Sequence, residues 1–208
     1  MLTTKKLQYN YSDGHKLSFP DWQVKEGGHA LILGPSGSGK TTLLHLLSGL
    51  LRPSSGEVHI NQTDLQQLST SELDKYRGAH IGFVFQKPHL IDSLTVQENI
   101  QLAGFLGKKN PESATIGKLL EDLNISHLAN RKIHQISQGQ AQRVAIARAV
   151  VNQPDVIFGD EPTASLDDES CEAVTRLLKH QAESCNAMLI IATHDHRVKN
   201  EFQNQLTL

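Results

Sequence analysis

No apolar run in the 208 residues approaches the ~20 needed to span a bilayer. The opening Met1-Leu2-Thr3-Thr4-Lys5-Lys6 lacks the apolar core that a secretory signal carries. Both absences point to a soluble, intracellular protein, one that meets a membrane only by docking onto another protein. Cysteine is scarce: Cys171 and Cys185 are too few for a disulfide-built scaffold, so free thiols in a reducing compartment are expected. Basic runs are missing and the formal net charge is −2, so no nucleic-acid surface is expected. Apart from His194, the histidines are scattered singly without metal-ligand spacing. Internal repeats and low-complexity tracts are also absent, and the length suits one domain around one core.

Against this background one stretch stands out. Gly34-Pro35-Ser36-Gly37-Ser38-Gly39-Lys40-Thr41 fits G-x-x-x-x-G-K-[ST], the loop whose backbone N–H groups wrap phosphates. Glycines permit the positive φ and close approach that a Cβ would block. Lys40 would supply a point charge to the β- and γ-phosphates, and the Thr41 hydroxyl a Mg²⁺ ligand. The context suits the motif: Ala30–Leu33 reads as a buried strand, and the run from Thr41 through Thr42 to Leu47 as a helix.

Ahead of the loop, Leu7–Tyr11, Lys16–Val24 and His29–Leu33 read as strands, broken at Ser12-Asp13-Gly14 and Lys25-Glu26-Gly27-Gly28. Tyr9 and Tyr11 fall in the first, where an aromatic packs a sheet or stacks on a base. Behind the loop the helix stops near Gly49; Glu57–Asn61 reads as a strand and Ser69–Arg77 as a short polar helix. Ile81–Phe85 is a buried strand ending at Gln86, which is either a solvated loop residue or a ligand-facing one at a strand's C-terminal end. Residues 87–136 read as a helical insertion, with helices over Val96–Leu106 and Ser113–Leu123.

Ser137 is a good N-cap for a helix running to about Asn152, and capping alone would explain it. The same helix start is also an anion site. Val156–Glu161 is an apolar strand ending in two carboxylates. An Asp at the place of Asp160 holds Mg²⁺ in phosphate-loop enzymes, whereas a solvated acidic turn before Pro162 is the plain alternative. By alternation Glu161 is expected on the opposite face of the strand end, with a separate task of orienting or deprotonating the attacking water. A helix over Asp168–Ser184 and a strand over Met188–Thr193 follow, the strand ending at His194, within reach of a γ-phosphate. Strands alternating with helices argue a mostly parallel sheet.

Taken together the chain resembles the nucleotide-binding subunit of an ABC transporter, over essentially its whole length. Gly34–Thr41 matches the Walker A loop, Val156–Asp160 the Walker B strand, Glu161 the catalytic glutamate, Gln86 the Q-loop and His194 the H-switch. Ser165-Leu166-Asp167 matches the D-loop, and Tyr11 the adenine-stacking aromatic better than Tyr9. The signature Leu-Ser-Gly-Gly-Gln stands here as Ile136-Ser137-Gln138-Gly139-Gln140, keeping Ser137, Gly139 and Gln140 but neither the leucine nor the first glycine. The resemblance implies an α/β P-loop NTPase fold: a mostly parallel core sheet, an N-terminal antiparallel β subdomain and an α-helical insertion, in one domain over residues 1–208.

The family further implies an ATP-hydrolysing enzyme with Glu161 and His194 catalytic, using ATP and Mg²⁺. The loop residues Gly34 to Thr42, with Tyr11, Gln86, Ser137, Gly139 and Gln140, would hold nucleotide; Thr41, Gln86 and Asp160 would hold the metal. Two copies would sandwich two ATP molecules and drive a separate transmembrane permease, docked near Gln86 and the insertion, placing the protein at the cytoplasmic face of the inner membrane. The segment Ile81–Gln86 with Leu90-Ile91 and Leu94–Ile100 is similar to the lipoprotein-release and macrolide-exporter branch; small-solute importers share much of the pattern. Ending at Leu208, the chain is expected to carry no C-terminal regulatory domain. Soluble relatives in DNA repair or translation would need a coiled-coil insertion or a second cassette, and neither is seen. A switch that holds ATP without turnover would not need Lys40, Asp160, Glu161 and His194 all intact.

Overall fold

The computed structural model describes residues 1–164 and 167–208. The Ser165-Leu166 part of the expected D-loop lies outside them. In chain order the strands and helices begin β1 (Leu2–Asn10), β2 (Lys16–Ser18), β3 (Trp22–Val24), β4 (His29–Leu33), α1 (Lys40–Leu47), β5 (Ser55–Ile60) and β6 (Thr63–Asp64). There follow α2 (Thr70–His80), β7 (Ile81–Val84), α3 (Val96–Leu106), α4 (Ser113–Asp122) and α5 (Gln138–Val150). The chain closes with β8 (Val156–Asp160), α6 (Asp168–Ser184), β9 (Met188–Thr193) and β10 (Asn204–Thr207).

Two sheets result. β1 pairs antiparallel with β2, β3 and β5, and β6 extends from β5. The second sheet is parallel throughout, in the order β10-β4-β9-β8-β7. Its central strands are apolar on both faces, as a sheet covered on both sides must be. Leu31, Leu33, Ile157, Leu189 and Ile191 meet α3, α4, α5 and α6 on one side. The alternate residues Ala30, Ile32, Phe158, Met188 and Ile190 meet α1, α2 and the antiparallel sheet on the other.

The helix starts follow the sequence closely. Ser69 with Glu72, Thr95 with Glu98, and Ser137 with Gln140 form reciprocal capping boxes, and the Asp167 carboxylate caps α6. Arg148, late in α5, donates to the carbonyls of Pro88 at 2.6 Å and His89 at 2.7 Å, gripping the loop beyond Gln86.

Several boundaries differ from expectation. Lys16–Val24 is two strands, β2 and β3, because Pro20 between them has no N–H to donate to a ladder with β1. β1 starts at Leu2 and ends at Asn10, leaving Tyr11 beyond it, and α5 ends at Val150 rather than Asn152. β10 was not expected at all.

Phe158 is fully buried on β8, between β7 and β9, with its ring 6.1 Å from that of Phe83. Phe158→Ala is expected to cost about 3–5 kcal/mol, as large-to-small changes at such core sites do. Urea unfolding measures this, and a loss under about 1 kcal/mol would contradict the packing described.

Candidate functional site

Parallel strands end together, and here four of those ends supply the residues singled out in the sequence. The Gly34 loop follows β4, Gln86 follows β7, Asp160 closes β8 and His194 follows β9. A cleft of about 300 Å³ at this edge is lined by Tyr11, Ser36, Gly37, Gly39, Lys40, Thr41, Thr42, Gln86, Glu161 and His194.

The loop is built to approach a ligand closely. Gly37 and Gly39 hold φ of 82° and 97°, and a Cβ on Gly37 would project into open space. α1 begins directly behind Gly39 with no side-chain cap, so its first-turn N–H groups are left for an anion. The Ser38 hydroxyl is buried with no hydrogen-bond partner among the described residues. Lys40 is only 6 % exposed; its ammonium bonds the carbonyls of Gly34 at 2.9 Å and Pro35 at 3.0 Å and lies 3.5 Å from Glu161 Oε1.

The two carboxylates have separate partners. Asp160 completes β8, accepts from the Thr41 hydroxyl at 3.1 Å, and is pushed above the usual carboxyl range by burial, which Thr41 and His45 partly oppose. Glu161 has a φ of +48°, and its side chain lines the cleft beside Lys40. Its Oε2 accepts from the Thr193 hydroxyl at 2.8 Å; its Oε1 accepts from the His194 N–H at 3.1 Å and lies 2.9 Å from His194 Nδ1. With Nδ1 committed to Glu161, Nε2 is the ring nitrogen left for a ligand, on a side chain that is 61 % exposed.

Tyr11 closes the cleft, its hydroxyl paired with Thr42 Oγ1 and its ring edge-on to Tyr9. Asp160 and Thr41, hard oxygen donors already in contact, suit a Mg²⁺ ion, and the pressure of burial on Asp160 is what a divalent cation would relieve. Ser137, Gly139 and Gln140 are not among the residues lining this cleft; they stand exposed or half-exposed at the start of α5. Thr193 was missed in the sequence. Its place just before His194 at the end of an apolar strand was the available signal.

The family profile described as ABC transporter matches residues 17–164. The chain belongs to the ABC transporter family. Its curated relatives include the lipoprotein-releasing system ATP-binding protein LolD of Legionella pneumophila (strain Paris), 38 % identical over all of this chain and 94 % of the relative. LolD of Shewanella frigidimarina is 35 % identical over all of this chain and 90 % of its own. Among solved structures, the dimeric ATP-binding cassette MJ0796 in a post-hydrolysis state bound to ADP and Pi is similar at a TM-score of 0.89 and 35 % identity, covering all of this chain and 94 % of that one. CbiO1 of Clostridium perfringens, part of the ABC transporter complex cbiONQ, matches at a TM-score of 0.88 and 34 % identity, over 99 % of this chain and 83 % of that one. This ABC protein is thus the ATPase subunit of a transporter, hydrolysing ATP to ADP and phosphate. Among the described residues, no helix is long and apolar enough to cross a membrane.

Proposed function

We propose that this ABC ATPase powers a lipoprotein-release or related export-type transporter, working as a homodimer on a separate transmembrane permease at the cytoplasmic face of the inner membrane. The observation that carries the mechanism is the single cleft that gathers Lys40, Thr41, Gln86, Glu161 and His194. In this reading residues 1–208 form one ATPase domain, with 87–136 as an inserted helical subdomain. Tyr11 stacks the adenine; the backbone of Gly34–Thr42, including Pro35, Ser36 and Ser38, cradles the phosphates; Lys40 draws in the β- and γ-oxygens. Thr41, Gln86 and Asp160 would hold Mg²⁺, whose charge would offset that developing on the phosphate oxygens. Glu161 orients or takes a proton from the attacking water, and His194 contacts the γ-phosphate through Nε2. Ser137, Gly139 and Gln140 of one copy complete the other copy's site, which accounts for their distance from their own cleft.

The likeness to LolD over the whole chain favours lipoprotein release; a small-solute importer is the second reading, because importers share much of the pattern over residues 81–100. Purifying the tagged protein from mildly solubilised membranes separates them. A stoichiometric polytopic partner with a large extracytoplasmic domain is expected. A partner without one would favour import, and recovery only from the soluble fraction would overturn transport coupling.

A further inference from the structure

Glu161 is held by a short stretch of backbone that is itself anchored from outside the cleft. The Thr193 hydroxyl, fully buried, accepts from the Asp195 N–H at 3.0 Å and has one hydrogen to give. That hydrogen goes to Glu161 Oε2 at 2.8 Å, while the next N–H, of His194, goes to Oε1 at 3.1 Å. The orientation of residues 193–195 therefore sets the orientation of the carboxylate. Asp195 is fixed in turn. Its carboxylate caps the 3₁₀ turn His196–Glu201 by accepting the Arg197 N–H at 2.9 Å. It is also forked by the Arg197 guanidinium, with Nε at 3.0 and 2.9 Å and a terminal nitrogen at 2.6 Å. The guanidinium holds the Asp195 carboxyl below its usual range. The other terminal nitrogen reaches Asp168 Oδ1, in the first turn of α6, at 2.5 Å.

We propose that Arg197 is a positioning residue for hydrolysis, tying the start of α6 through Asp195 and Thr193 to the Glu161 carboxylate. The inference rests on reading Glu161 as the group that handles the attacking water. The planar fork matters more than the charge, because a guanidinium can grip Asp195 with two nitrogens and Asp168 with a third. The two arms differ in what they contribute to folding: Asp168 is 91 % exposed and its ion pair contributes little, whereas Asp195 is only 13 % exposed and depends on the guanidinium for its pairing. Arg197 does not line the nucleotide cleft, so ATP affinity does not depend on it directly. What it controls is placement, and a misplacement of about 1 Å in a catalytic group can cost 10²-fold in rate.

The test compares Arg197→Met, Arg197→Lys, Asp168→Asn and Glu161→Gln in the full chain, reading kcat, KM for ATP and melting temperature. Arg197→Met is expected to lower kcat about tenfold with KM unchanged within about twofold, and Asp168→Asn to leave the melting temperature within about 2 °C. Arg197→Lys should recover only part of the rate, and Asp168→Asn should lose about threefold. Adding Asp168→Asn to Arg197→Met should lose nothing more, because both cut one linkage. A kcat within about twofold of wild type for Arg197→Met, or an unchanged kcat for Asp168→Asn, would overturn the proposal. Glu161→Gln separates this failure from the underlying reading. If it is inactive while Arg197→Met is normal, only the role of Arg197 falls. If it turns over normally, the reading of Glu161 falls.

Discussion

Glu161→Gln is expected to lower ATP turnover by about 10²–10³-fold, within the range a positioned general base supplies, while leaving ATP binding intact. The geometry explains the separation of the two effects. An amide at this position still offers a carbonyl oxygen to the Thr193 hydroxyl at 2.8 Å or the His194 N–H at 3.1 Å, so the side chain keeps its place. It can no longer accept a proton from water, and it no longer presents a negative charge 3.5 Å from the Lys40 ammonium. Removing that competing charge leaves Lys40 more available to phosphate. ATP should therefore be held without being cleaved, and the ATP-bound homodimer should accumulate. Size exclusion at saturating MgATP reads the outcome. A variant that stays monomeric while binding ATP would count against the sandwich arrangement, and one that hydrolyses at the wild-type rate would remove Glu161 from the chemistry.

The second large effect is on binding. Lys40→Ala should weaken ATP affinity by about 10–100-fold, since hydrogen bonds to charged groups are each worth about 1.5–3 kcal/mol and 1.4 kcal/mol is a factor of ten. The ammonium is already oriented: it bridges the carbonyls of Gly34 and Pro35, so it meets phosphate without first being ordered. Alanine also removes the only cation paired with Glu161 among the described salt bridges involving Lys or Arg, so negative phosphate oxygens would face an unopposed carboxylate. Titration with a fluorescent ATP analogue measures the loss. An unchanged affinity would overturn the assignment of the loop.

Much of this architecture was legible in the chain because strong signals sat where backbone rules are strict. Helices α3 and α6 and strand β9 carry the expected limits, since Thr95 and Asp167 cap their helices and β9 is an unbroken apolar run. β10 was invisible for the opposite reason. Asn-Gln-Leu-Thr has no apolar run, and the strand exists because β4 offers a parallel edge with register from Ala30 to Leu33. The backbone turn at Glu161 was not legible, because a positive φ at a non-glycine residue carries no sequence mark. Thr193, Asp195 and Arg197 escaped for a related reason. Their roles lie in contacts with Glu161 and Asp168, which are distant in the chain and meet only once β8, α6 and β9 have packed.

Helix α5 has an engaged residue near each end. Ser137 caps its start, and Arg148 grips the carbonyls of Pro88 and His89 just beyond Gln86. The 13-residue helix carries both, and at 1.5 Å per residue the two positions are about 16 Å apart along its axis. Arg143, midway along, also donates to the carbonyl of Leu123 beyond α4 at 2.9 Å. One helix thus ties the loop beyond Gln86 to the Ser137 turn, so in the proposed homodimer the loop near the permease and the segment facing the second copy share one element.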